Sequence, residues 1–121
     1  AYEQTLTLAP DMVPALQNLG NAYIRKQRLR EAQTLYEKAI RIEPDNASLH
    51  YNLAVLRAKM EHYQEALNAY LKAIELNPQH GPAWHGAAIA YYQLADYEFA
   101  KICAHKAKTL GIDVESVLLN P

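Results

Sequence analysis

Apolar residues recur along this chain at helical spacing, in stretches of helical length separated by short polar turns. Within residues 13–46 two such stretches stand out, about 14–27 and 29–42. The same alternation then returns. Proline falls at Pro10, Pro44 and Pro78, 34 residues apart each time, and Tyr2, Tyr36 and Tyr70 keep that interval. So do Ala32, Ala66 and Ala100, and again Ala39, Ala73 and Ala107. A fixed period of this length signals stacked units that share one continuous core. Pro44 and Pro78 should end the second helix of a pair, because proline lacks an N–H and pushes the residue before it out of helical geometry. Pro14 and Pro82 suit a first helical turn, where a missing N–H costs nothing.

With position 1 at Val13, Ala47 and Gly81, position 4 reads Leu16, His50 and Trp84, and position 7 reads Leu19, Leu53 and Ala87. Position 8 is Gly20, Ala54 and Ala88; position 11 is Tyr23, Arg57 and Tyr91. Position 20 is alanine three times, position 24 is Tyr36, Tyr70 and Ala104, and position 27 is alanine three times. Position 32 is Pro44 and Pro78, then Ile112, where the pattern breaks. This resembles the tetratricopeptide repeat (TPR) family, most closely over Asn18-Leu19-Gly20-Asn21-Ala22-Tyr23. The resemblance implies an all-α fold, a right-handed α-solenoid of antiparallel helix pairs, with repeats at 13–46, 47–80 and 81–112. Residues 1–12 match the tail of a preceding repeat, so the chain is expected to be part of something longer. Small residues at 8, 20 and 27 then sit where helices touch, and a larger side chain there would cost about 1–3 kcal/mol.

The C-terminal segment 113–121 is expected to form a short capping helix, since a solenoid must cover its terminal apolar face. Gly111 should turn left-handed after the last repeat helix. Asp113 is the expected cap, with Val114, Val117 and Leu118 on one face. Pro121 would fall at position 7 of another repeat and opposes a normal first helix there.

Composition narrows the function. Half of the 121 residues are hydrophobic, and twelve basic against thirteen acidic side chains give a net charge of −1. A nucleic-acid partner is not expected from so balanced a chain. The cluster Arg25, Lys26, Arg28 and Arg30 is expected to be a solvated turn. No stretch approaches the roughly 18 apolar residues of a membrane span, so direct membrane insertion is not expected. No targeting address is legible, and the cytoplasm is the default expectation. A single cysteine, Cys103, rules out an internal disulfide framework. No catalytic grouping stands out: Gly20, Gly81, Gly86 and Gly111 are scattered, and His80 and His85 lack a third ligand. Cys103 and His105, two apart on a helix, point in different directions. No enzyme, cofactor or metal is expected.

The family resemblance implies a concave groove lined by positions 2, 5, 6, 9, 12 and 13. Carried over, these are Pro14, Gln17, Asn18, Asn21, Ile24 and Arg25 in the first repeat. The second offers Ser48, Tyr51, Asn52, Val55, Ala58 and Lys59; the third offers Pro82, His85, Gly86, Ile89, Tyr92 and Gln93. No acid is among them, two are fixed cations, and Tyr51 and Tyr92 present aromatic faces. The expected partner is a protein or peptide, neutral to mildly acidic, with an apolar anchor. Two binding schemes of the family can be compared. The carboxylate clamp for acidic chaperone tails keeps Asn21 and Asn52 here, but Gln17, Pro82 and Gly86 stand where it needs cations. A ladder of position-6 asparagines, gripping a partner's backbone, keeps Asn18 and Asn52 and breaks at Gly86. Self-assembly into a homo-oligomer, or service as the regulatory arm of an enzyme encoded elsewhere in a longer chain, are the alternatives.

Overall fold

Each repeat folds as two helices joined by a three-residue turn, and the period places them. The computed structural model describes residues 12–121. Among these are seven helices: α1 (Met12–Arg25), α2 (Leu29–Ile42), α3 (Ala47–Lys59), α4 (Tyr63–Leu76), α5 (Gly81–Gln93), α6 (Tyr97–Thr109) and α7 (Ser116–Leu119). The expected half-repeat falls on residues 1–11, outside the described residues, and on Met12, which opens α1. Helices pack in chain order as pairs: α1 on α2, α3 on α4, α5 on α6. Neighbouring pairs join through α2 with α3 and α4 with α5. The first helices α3 and α5 also touch, and α7 packs on both α5 and α6. This is an α-solenoid.

Alanine governs the spacing. Ala32, Ala39, Ala66, Ala73, Ala100 and Ala107, the residues at positions 20 and 27, are each 0% exposed. Beside them Leu16, Tyr36, Leu49 and Leu56 are the largest fully buried side chains. Apolar burial of this kind contributes about 25 cal/mol per Å².

The two kinds of helix end differ by chemistry. After α2 and α4, Glu43 and Asn77 leave helical geometry ahead of Pro44 and Pro78, Asn77 turning extended, as proline's ring disfavours a helical residue before it. The first helices end differently, at Gln27, Glu61 and Ala95, all with φ of +62° to +63°. The following N–H, from Arg28, His62 or Asp96, donates 2.9 Å back to the carbonyl of Tyr23, Arg57 or Tyr91. That is the Schellman closure of a helix end. It is why α1 stops at Arg25, two residues short of the expected 27. The end of α6 repeats it with Gly111 at φ +93° and Ile112 donating to Ala107 over 3.0 Å. Only this last turn uses glycine.

In the second and third repeats, position 4 ties the repeat to the one before. Trp84 Nε1 donates 2.8 Å to the carbonyl of Pro78, and His50 Nε2 lies 2.9 Å from that of Pro44. A carbonyl only accepts, so His50 carries its hydrogen on Nε2 and does the same work as the indole.

The C-terminal cap departs from expectation in detail. It begins at Ser116, after Glu115 rather than Asp113, and Glu115 makes no side-chain capping bond. Leu118 is buried and Val114 packs against the same core, but Val117 is 49% exposed. The helix is too short for one face to carry all three. Ile112 fills the space over Gly81, whose Cβ would lie 2.7 Å from its Cγ1.

Because Ala95 adopts a left-handed conformation and makes no buried contact, Ala95→Gly is expected to stabilise the fold by about 1 kcal/mol. Urea unfolding would register this as a higher midpoint; an unchanged or lower midpoint would refute it.

Candidate functional site

Of the first helices, α3 and α5 touch, and the expected groove residues on α1, α3 and α5 divide by exposure. Asn18, Asn21, Arg25 and Lys59 are exposed; Gln17, Ile24, Tyr51, Asn52, Val55, His85, Ile89 and Tyr92 are half-buried. Tyr51, Val55, Ala58, Ile89 and Tyr92 rest on the same buried cluster, formed by Ala54, Tyr70, Ala83, Ala87 and their neighbours. A half-buried apolar and aromatic floor therefore lies beside open amides and two cations. Arg25 and Lys59 both stand in the last turn of their helix, where a cation meets the negative end of the helix dipole.

Several of these side chains are already engaged. Tyr36, reaching up from α2, donates its hydroxyl to Asn21 Oδ1. The Tyr51 ring tilts against Tyr70 at 5.9 Å and against His80 at 4.9 Å, while Tyr92 meets Tyr97 edge-on at 5.1 Å. His85 Nε2 lies 3.0 and 3.2 Å from the two carboxylate oxygens of Glu115. So the capping segment brings an acid to a surface whose sequence positions contain none. Gly86 is not a surface residue at all. It is buried, and an added Cβ would lie 2.2 Å from Tyr70 Cε1.

Sequence reasoning missed Tyr70, His80 and Glu115. Tyr70 and His80 fill gaps that depend on what the neighbouring repeat leaves open, and Glu115 depends on how the chain leaves the last repeat. The one available signal was glycine at position 6, which marks a site where another side chain needs the room.

The weaker candidates are occupied elsewhere. His80 Nδ1 accepts from the Ala83 N–H as the cap of α5, and His85 faces Glu115. Among the described residues no three of His, Cys, Asp and Glu gather where a metal ion could be held. Cys103 is buried while His105 is exposed, so they do not form a pair. Burial pushes the Cys103 thiol up to about 11. No helix among the described residues is long and apolar enough to cross a membrane. Elsewhere, Leu67 and Leu71 of α4, Tyr91 and Leu94 at the end of α5 and Phe99 of α6 line a recess.

Residues 20–61 match a family profile described as TPR repeat, and residues 47–80 match one described as tetratricopeptide repeat. Among solved structures, the chain is similar to the first TPR of Spaghetti (RPAP3) bound to HSP90 peptide SRMEEVD. That likeness has 24% identity and a TM-score of 0.80, covering 82% of this chain and 79% of that one. The Sgt2 TPR domain from Aspergillus fumigatus gives 24% identity and a TM-score of 0.81, over 92% of this chain and 74% of that one. The Arabidopsis OM64 TPR domain gives 22% and 0.78, over 82% of both chains. At these identities the likeness concerns the fold alone. No curated protein matches the chain.

Burial of the Cys103 thiol makes stability depend on pH. Below pH 9 the thiol is neutral in both folded and unfolded chains, and its burial is unopposed. Between pH 9 and about 11 the unfolded chain ionises first and binds fewer protons, so stability falls as pH rises. Urea midpoints across that window should drop in the native chain and drop less in Cys103→Ala. An equal drop in both would exclude the thiol as a cause.

Proposed function

The chain belongs to the tetratricopeptide repeat family, and on that premise we propose that it is a protein-binding scaffold that holds a peptide or partner helix along its first-helix layer. The observation that supports this is the floor of Tyr51, Val55, Ile89 and Tyr92, half-buried against the core, with half-buried Asn52 on the same helix as Tyr51 and Val55 and exposed Asn18 at the matching position of α1. Such a surface provides apolar contact area with the polar groups of a partner's backbone satisfied alongside it. Tyrosine suits it, because a ring with two torsions loses little freedom on binding.

Charge sets the direction. Arg25 and Lys59 border the layer on the first two repeats, while Glu115 stands at the far end beside His85. A mildly acidic partner is favoured with its acidic part over the first two repeats and its apolar anchor over Tyr51 and Tyr92. A chaperone tail such as SRMEEVD is a poor fit. At the three positions where the clamp needs cations stand Gln17, Pro82 and the buried Gly86, and a carboxylate stripped of water needs charged donors in return.

Affinity capture from lysate with the native chain, beside the triple variant Asn18→Ala/Tyr51→Ala/Asn52→Ala, tests the groove. A partner held by the native chain and lost by the variant is the expected outcome. Identical capture by both, or capture of further copies of the chain alone, would move binding elsewhere on the solenoid. Labelled SRMEEVD peptide is expected to show no saturable binding by fluorescence anisotropy; saturable binding would overturn the exclusion of chaperone tails.

A further inference from the structure

Tyrosines at position 24 reach the first-helix layer from behind, and the two that do so end differently. Tyr36 lies across Gly20, 3.2 Å from where a Cβ would stand, and its hydroxyl donates to Asn21 at position 9. Tyr70 lies across Gly86 in the next repeat, with Cε1 and Cζ 2.2 and 2.3 Å from the corresponding point. Position 9 in its own repeat is Val55, which can accept nothing. Among the described residues no hydrogen bond reaches the Tyr70 hydroxyl, and the residue is only 5% exposed. Its neighbours, Gly86 and the Tyr51 ring at 5.9 Å, both belong to the first-helix layer.

We propose that the Tyr70 hydroxyl is a partner-contacting donor, which bonds a main-chain carbonyl of the extended peptide lying on the first-helix layer. The proposal rests on the groove reading above and adds a residue to it. Asn18 and Asn52 stand at position 6 of the first two repeats; at the third, Gly86 yields that space and a phenol from the second repeat fills it. The asparagine series is continued by different chemistry rather than cut short. Burial, with the Tyr51 phenol adding to it, raises the Tyr70 pKa, so the group stays a protonated donor. A side chain at 86 would push the ring aside, which explains why glycine stands there.

The test uses a peptide selected from a phage-displayed random library on the native chain, fluorescently labelled and titrated against native protein, Tyr70→Phe and Asn18→Ala/Asn52→Ala. Tyr70→Phe keeps the ring over Gly86 and removes only the oxygen, so it should raise Kd about 3- to 10-fold, the effect of one neutral hydrogen bond. Unchanged affinity in Tyr70→Phe with weakened binding in the asparagine variant overturns this proposal and leaves the groove reading standing. Unchanged affinity in both overturns the groove reading, and this proposal with it. The unfolding midpoint of Tyr70→Phe is expected to hold or rise. A fall would reveal an internal partner for the hydroxyl and overturn the proposal too.

Discussion

The rest of the solenoid depends on the fully buried alanines at which paired helices meet. Six alanines at two repeat positions have no exposed surface, so each helix pair is held at a distance that only a methyl group permits. That distance decides what else fits. Large side chains are pushed to the flanks of the contact, where Leu16, Leu49, Leu56 and Tyr36 become the buried mass. It also brings a second-helix tyrosine near enough to lie against a first-helix glycine, Tyr36 on Gly20 and Tyr70 on Gly86. The first-helix layer is therefore shaped from beneath as well as by its own residues.

Identical geometry is reached here by unlike chemistry. An indole and an imidazole close the same bond to a proline carbonyl, at Trp84 and His50. Glutamine, glutamate, alanine and glycine all occupy the left-handed position that ends a helix. The repeat tolerates this because stacking fixes the backbone, and the side chain needs only to supply a donor or stay out of the way. Glutamine, glutamate and alanine carry a cost of roughly 1 kcal/mol each in that conformation, which tertiary packing absorbs.

The helix pairs and their ends were legible because proline, alanine and aromatic residues recur at one interval and each has one physical reason to do so. The capping segment was less so. Its start could have been set by Asp113 or Glu115, and what decided was where Gly111 and Ile112 left the chain, a matter of packing over Gly81. Exposure of the candidate groove residues followed the helix register, but their bonds did not. That Asn21 is engaged by Tyr36, that His85 faces Glu115 and that Gly86 lies beneath Tyr70 are all contacts between residues 15 to 30 positions apart. Periodicity assigns a residue to a face and is silent on what another repeat sends there.

Tyr36 and Tyr70 also differ in which glycine they cover: Tyr36 lies over Gly20 of its own repeat and is buried with Leu53 and Leu56 of the next, while Tyr70 lies over Gly86 of the next. Correspondingly, α4 meets α5 more extensively than α2 meets α3. In a chain whose units touch only their neighbours, that difference sets where it loosens. Amide protons in α1 and α2 should exchange with solvent through partial opening of that pair alone, while α3 to α6 exchange as one block. Of the two junctions between repeats, the one between α2 and α3 is the less extensive and is where opening is expected to begin.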